Sequence, residues 1–264
     1  MSVRIVKRTL SNKYFSFDAM AIIPSTQEHL TLKKDWAIFT HGYTASKVDC
    51  LPWSQRLAEQ AIPSVFFDLP GHYMGSFKEV NSFEDFKLHV HECFIEAFQF
   101  LEEVASDIFS SSQCNKIIFG GHSLGALLTL KAIELPFFEN FEKLALCVGL
   151  GISQHKETHL FESSFYQKTL NIRRQLVSPA IDSDNIFPWI KEEKLSLTAS
   201  DKRIHLITGI DDLVVGVGGM EALESQLKKL NNNVTSTQPK KLPHHEPTLA
   251  AGHINAFLKK ELSL

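Results

Sequence analysis

The sequence lacks several features that would assign it to other classes of protein. Its four cysteines are scattered, without the paired spacing of a disulfide framework or a zinc site. It has 27 Lys and Arg against 30 Asp and Glu, so we expect no broad basic surface and no nucleic-acid partner. No apolar run approaches the length of a membrane-spanning helix, so we expect no stable membrane insertion.

Targeting and metal-binding signals are also scarce. Residues 1–8 lack the apolar core and small-residue cleavage site of a signal peptide, which with the scattered cysteines predicts a cytoplasmic protein. His155 and His159 are four residues apart and could share a helix face, but no carboxylate or cysteine partner is evident. We therefore expect no metal and no other cofactor. The oligomeric state is left open.

Short apolar segments alternate with amphipathic helical patterns along the 264 residues. This alternation predicts an α/β fold, with a mostly parallel central sheet and helices on both faces. Strands are predicted at residues 3–10, 14–23, 36–40, 64–67, 144–150, 203–208 and 234–240, and in the apolar run that leads to Gly121. Helices are predicted at residues 53–60, 86–104, 220–230 and 253–262, and after Ser123.

The alternation stops between residues 153 and 200. A structureless loop of this length would be unusual within a compact domain, so we predict a small helical cap there. The core then comprises residues 1–152 and 201–264. The separated aromatic side chains of the cap are Phe161, Phe165, Tyr166, Phe187 and Trp189.

These aromatics suggest that the cap acts as a lid over a binding site. We expect Phe161, Phe165 and Trp189 to line an apolar substrate pocket, together with His122 from the core. The alternative is that the aromatics only pack the cap onto the core, and that His122 only shapes the turn on which it lies.

The most informative segment is Gly121-His122-Ser123-Leu124-Gly125, between an apolar strand and an apolar helix. A strand that turns this abruptly into a helix forces the central serine into a strained conformation and brings the two flanking glycines together. The hydroxyl is then exposed beside the N–H groups of the helix N-terminus. Ser123 is therefore a candidate nucleophile and the Leu124 N–H a candidate oxyanion donor, although a glycine-rich turn with a capping serine would give the same pattern.

Three further loops follow predicted strands, where the catalytic groups of open parallel sheets gather. They contain His41-Gly42-Tyr43, Asp211-Asp212 and His244-His245. A serine needs a histidine to remove its proton and a carboxylate to orient that histidine. Serine, acid and histidine occur here in that chain order, which one known family of triads uses.

The chain resembles the α/β-hydrolases over nearly all its length. The resemblance lies in the oxyanion loop His41-Gly42-Tyr43-Thr44, the segment Asp68-Leu69-Pro70-Gly71-His72, the acid turn Gly209-x-x-Asp212 and the histidine loop His245-Glu246-Pro247. Within that superfamily the sequence is most like small carboxylesterases of the feruloyl and cinnamoyl esterase kind.

The resemblance implies the role of each residue. Tyr43 would contribute its backbone N–H to the oxyanion hole, Asp212 would be the acid and His245 the base. Asp211 is one place early for the Gly-x-x-Asp spacing, whereas His244 occupies a position that is usually glycine, so it remains an alternative base.

These residues together predict a serine hydrolase that cleaves a small-molecule carboxylic ester through an acyl-enzyme intermediate. A thioesterase or a peptidase would use the same triad. A non-catalytic binding protein of the same fold is a further alternative.

Overall fold

An eight-stranded sheet lies at the centre of the computed structural model, which describes residues 2–24, 34–106, 114–152 and 164–262, with backbone alone at 164–167. The strands are β1 (Val3–Ser11), β2 (Ser16–Pro24), β3 (Asp35–Thr40), β4 (Ser64–Phe67), β5 (Lys116–His122), β6 (Glu142–Val148), β7 (Arg203–Ile207) and β8 (Asn233–Thr237). The ends of each strand lie within three residues of the ends predicted from the sequence.

The order of the strands across the sheet is β1-β2-β4-β3-β5-β6-β7-β8. The pairs β1–β2 and β2–β4 are antiparallel, whereas all pairs from β4 to β8 are parallel. The carboxyl ends of the parallel strands therefore share one edge of the sheet, and the loops that follow β3, β4, β5, β7 and β8 meet there.

The parallel strands are buried on both faces because successive side chains point to opposite sides. In β3, Trp36 and Ile38 belong to one apolar core, and Ala37 and Phe39 belong to the other. Helices cover both cores, so the predicted α/β architecture is confirmed.

The eight α-helices of the described residues are α1 (Leu51–Ala58), α2 (Phe83–His89), α3 (Cys93–Ser106), α4 (Leu124–Ala132), α5 (Ser164–Arg174), α6 (Ser183–Leu195), α7 (Gly219–Lys229) and α8 (Ala251–Glu261). Helices α3, α4 and α7 contribute to the core that contains Trp36, whereas α1 and α8 contribute to the core that contains Phe39. Among the described residues, no helix has both the length and the apolar character needed to cross a membrane.

The single helix predicted over residues 86–104 is instead two helices, α2 and α3, separated by a 3-10 turn at Val90–Glu92. Ser82 caps the start of α2, since its hydroxyl accepts the N–H of Asp85 at 3.1 Å. At the break the His89 ring stacks on Tyr14, with the ring centroids 3.7 Å apart. Val90, the first residue of the 3-10 turn, is fully buried.

Two helices, α5 and α6, lie between β6 and β7 and form the described part of the region that we predicted as a cap. Asp182 caps α6, because its carboxylate accepts the N–H groups of Asp184 and Asn185. Lys131 of α4 forms a 2.6 Å ion pair with Glu193 of α6, which ties the cap to the core.

Candidate active site

Ser123 lies at the sharp turn between β5 and α4. Its backbone has φ 52° and ψ −111°, a conformation that few non-glycine residues adopt and that typically costs about 1–3 kcal/mol. A Cβ atom at Gly121 would overlap the backbone of Gly125, so the turn requires glycine there. The strand, the strained serine and the helix are arranged as the sequence predicts.

A chain of two hydrogen bonds joins Ser123 to a carboxylate through His244. The Nε2 atom of His244 lies 3.1 Å from Ser123 Oγ, and its Nδ1 atom lies 2.8 Å from Asp212 Oδ2. The three residues follow β5, β8 and β7, so the sheet brings together groups that are far apart in the sequence. This geometry suits proton transfer from the hydroxyl to the imidazole.

The loop after β7 holds the Asp212 carboxylate in place. Its Oδ1 atom accepts the N–H groups of Val214 and Val215 at 3.0 and 2.9 Å, which leaves Oδ2 for His244. Asp211, the alternative acid, is exposed and accepts the N–H of Leu242 instead. Asp211 therefore supports the segment that leads to the histidine and does not contact it.

The expectation that His245 faces Ser123 is wrong, because His244 occupies that position. The N–H of Glu246 donates to the carbonyl of Pro243 at 3.0 Å, which closes a tight turn. This turn directs His244 into the protein and leaves His245 exposed, with the two rings perpendicular and 5.5 Å apart. The resemblance placed the base two residues before Pro247, and it therefore indicated His245 instead of its neighbour His244.

The residues that carry the two predicted oxyanion donors both lie near Ser123. Leu124 is the first residue of α4, and the first N–H groups of a helix have no partner within it. Tyr43 follows β3 and lines the same cavity as Ser123. Its hydroxyl donates to the carbonyl of Ile181 at 3.1 Å, which attaches the oxyanion loop to the cap.

His41 connects the oxyanion loop to the loop after β4. It is fully buried, with Nδ1 2.8 Å from the carbonyl oxygen of Gly42, and its Nε2 accepts the N–H of Leu69 at 2.9 Å. Both contacts are satisfied by the neutral ring that carries its proton on Nδ1. Burial is the main cause that lowers the pKa of His41 from 6.5 to about 4.

Asp68, in the loop after β4, contacts the segment that follows the oxyanion loop. Its carboxylate is fully buried, forms an ion pair with the Lys47 ammonium and accepts the Lys47 N–H at 2.7 Å. Gly75 packs so closely on this carboxylate that a Cβ atom would overlap it. The loop that contains Asp68 thus braces the oxyanion loop.

A cavity of about 470 Å³ opens at Ser123 beneath the cap. Its walls come from the loops at the sheet edge and from α5 and α6, and they combine aliphatic, aromatic and charged side chains. The lining includes Tyr43, Asp49, Met74, Ile172, Arg173, Leu176, Phe187, Ile190, Lys194, Val214 and Val215.

Only some of the predicted pocket residues line the cavity. His122 lines the cavity, with its ring 4.8 Å from that of His244. Trp189 does not line it, so that expectation is wrong. The Trp189 ring contacts Phe83 and Phe86, and its N–H donates to Glu193 at 2.9 Å.

Phe161 lies outside the described residues, as does the side chain of Phe165. Phe187 and Ile190 of α6 line the cavity instead of Trp189. Their three-residue spacing places them on one helix face, with Trp189 on another, and that periodicity is the signal that could have separated them.

His122 is a neutral part of the wall. Its ring is wedged between Gly42 and Gly149, where a Cβ atom on either glycine would press on it. Burial, followed by the neighbouring His244 and His245, lowers the pKa of His122 well below its usual value. Among the described residues, no group of three His, Cys, Asp or Glu side chains could hold a metal ion.

Comparison with known proteins identifies the family. Residues 37–207 match the model of the Alpha/beta hydrolase family, which is more than half of the chain. The chain therefore belongs to this family. No curated protein matches the sequence.

Solved structures share the fold at low sequence identity. An esterase of Pyrococcus furiosus matches with a TM-score of 0.65 and 16% identity, over 98% of this chain and 91% of that one. An epoxide hydrolase from Vigna radiata gives 0.63 and 13%, over 97% and 98%. A lipase in its open form gives 0.62 and 15%, over 98% and 97%. At such identities the likeness concerns the fold alone.

Proposed function

We propose that this chain is a serine hydrolase that cleaves a carboxylic ester through an acyl-enzyme intermediate. The observation that carries the proposal is the hydrogen-bonded chain Ser123–His244–Asp212 at the mouth of a cavity. His244 replaces His245 as the proposed base. Membership of the Alpha/beta hydrolase family supports the same reading.

In the first half of the reaction, His244 Nε2 removes the proton from Ser123 Oγ as the oxygen attacks the ester carbonyl carbon. The negative charge that develops on the carbonyl oxygen is stabilised by the N–H groups of Leu124 and Tyr43. Asp212 stays ionised, accepts the His244 Nδ1–H and stabilises the imidazolium. The tetrahedral intermediate then collapses as His244 returns the proton to the departing alcohol.

In the second half, water takes the place of the alcohol. His244 removes a proton from the water, whose oxygen attacks the acyl carbon bound to Ser123 Oγ. Collapse of this second intermediate releases the carboxylic acid, and the proton returns to Ser123 Oγ. No group other than the triad and the backbone donors is required for either half.

The first experiment is labelling with a fluorophosphonate probe, which reacts with activated serines. The wild-type protein should be labelled and should hydrolyse simple esters, whereas Ser123→Ala should do neither. Thermal unfolding of both proteins controls for loss of fold. A folded wild type that neither labels nor turns over any ester would refute the proposal and leave a binding protein of the same fold.

The kind of bond and acyl group can be tested with the same preparation. Matched acyl esters, thioesters and peptide amides distinguish an esterase from a thioesterase or peptidase. Aromatic and aliphatic methyl esters test the likeness to feruloyl and cinnamoyl esterases.

The four cysteines are all free thiols, which supports a reducing compartment such as the cytoplasm.

A further inference from the structure

One face of α6 lies along the catalytic cavity. Phe187, Ile190 and Lys194 all line it, and their spacing of three and four residues places them on the same side of the helix. From Phe187 to Lys194 the helix rises about 10 Å. The cavity wall therefore passes from aromatic to aliphatic to cationic along its length.

The two ends of this face lie near different parts of the catalytic machinery. The Phe187 ring contacts the Tyr43 ring of the oxyanion loop, with centroids 5.2 Å apart. At the other end, the carbonyl of Lys194 accepts a hydrogen bond from Gln226 of α7, which fixes the end of the helix. The negative charge of Asp212 acts on the Lys194 ammonium, so this end lies toward the acid loop.

Lys194 is a cation within a largely apolar wall. Among the described residues, no carboxylate lies within ion-pair distance of its ammonium, whereas Lys131 and Lys47 each have such a partner. Burial lowers the pKa of Lys194 to about 8, so it is mostly charged at neutral pH. Asp212 acts on this ammonium only from beyond ion-pair distance, so a ligand that supplies the opposite charge would stabilise a partly buried cation that has no ion pair among the described residues.

A second cation lines the cavity from α5. Arg173 shares a face with Thr169, Ile172 and Leu176, and its Nη1 donates to Thr44 Oγ1 at 2.7 Å. The wall also contains the carboxyl group of Asp49, whose pKa is raised by burial. Both cap helices thus present aliphatic side chains together with one positive charge.

We propose that the ester substrate carries a carboxylate that binds the Lys194 ammonium, while its apolar part lies against Phe187 and Ile190. This inference rests on the proposed ester hydrolysis and specifies its substrate class as anionic esters. The carboxylate can belong to the acyl group or to the alcohol, and the two possibilities require different substrates.

Two substrate pairs, each differing mainly in charge, test the proposal. Monomethyl adipate and methyl hexanoate have acyl groups of six carbons, and only the former ends in a carboxylate. In the second pair, 4-acetoxybenzoate carries its carboxylate on the alcohol side of the ester, and 4-acetoxybenzamide is its neutral counterpart. We expect the wild type to favour the anionic member of one pair in kcat/KM, and the favoured pair identifies the side that carries the charge.

Variants of α6 then assign the preference to Lys194. Lys194→Met keeps the length of the side chain without its charge, and we expect it to reduce the preference about tenfold or more, mainly through KM. Lys194→Arg should retain most of the preference. Lys191→Met removes a charge from the exposed side of the same helix and should leave both pairs unchanged.

The possible outcomes separate the inference from the proposed function. If the wild type hydrolyses the neutral esters at least as well as the anionic ones, the inference is refuted while ester hydrolysis stands. Equal losses on both members of a pair in Lys194→Met would show a structural role and would also refute it. A folded wild type that reacts neither with the fluorophosphonate nor with any of the four esters would refute the proposed function itself.

Discussion

Acidification should destabilise the fold through His41, the buried histidine that joins the oxyanion loop to the loop after β4. Protonation would place a second N–H on Nε2, directed at the Leu69 N–H that this nitrogen now accepts. It would also place a charge at a site with no solvent exposure. The folded state therefore resists protonation of His41 far more strongly than the unfolded chain does.

The size of the effect follows from the pKa of His41, which folding lowers from 6.5 to about 4. Between these values the unfolded chain binds more protons, so the free energy of unfolding falls as the pH falls. The full difference corresponds to about 3 kcal/mol, of which about 2 kcal/mol is lost between pH 7 and pH 5. Below about pH 4 both states are protonated and the contribution of His41 stops changing.

Urea unfolding at pH 7, 6 and 5 measures this loss. His41→Gln provides the comparison, because its amide oxygen can still accept the Leu69 N–H but does not titrate in this range. Groups that both proteins share cancel when their pH profiles are subtracted. We expect the wild type to lose about 2 kcal/mol more than the variant between pH 7 and pH 5.

Parallel pH profiles for the two proteins would refute the argument. A second measurement does not depend on the variant folding well: an NMR titration of the wild-type imidazoles. The His41 ring should stay neutral until the pH approaches 4. Protonation of His41 near pH 6.5 in the folded protein would contradict its assigned contacts.

Two further predictions concern the histidine loop and the support of the oxyanion loop. His244→Gln should reduce kcat/KM at least about 10⁴-fold, whereas His245→Gln should retain activity within about tenfold, and the reverse order in an ester assay would restore His245 as the base. Gly75→Ala should destabilise the protein by about 1–3 kcal/mol in urea unfolding, because the new methyl group must displace the Asp68 carboxylate. Gly252→Ala, where a Cβ meets nothing within 4 Å, is the control, and equal stability of the two variants would contradict this reasoning.

The sheet and most helices could be predicted because burial imposes a period on the sequence. Ser64–Phe67 is a strand at the predicted boundaries, since four successive apolar or small residues between polar segments fit a strand buried on both faces. The predicted 86–104 helix failed at Val90, because periodicity reports which residues are buried but not a break between two helices that bury the same side. The stacking of His89 on Tyr14 joins residues 75 positions apart and has no local signal.

At the site, the sequence located features fixed by backbone sterics more reliably than those fixed by loop direction. The turn at Ser123 needs glycines at set distances, and the acid loop keeps a fixed spacing from Gly209, so both could be recognised. His244 and His245 are adjacent residues of the same type. The turn closed by Pro243 and Glu246 determines which of the two faces inward. The sequence pattern does not indicate the direction of this turn.

The cap shows the same distinction in a way that bears on specificity. Trp189 and Phe187 are both aromatic and only two residues apart, so on a helix they point in different directions. The bulkier Trp189 packs on Phe86 of the core, and the same rotation of α6 turns Phe187 and Lys194 toward the cavity. The contact between Trp189 and Phe86 thus also determines which side chains of α6 line the cavity. Substitutions at Trp189 should therefore change substrate preference without any direct contact between this residue and the substrate.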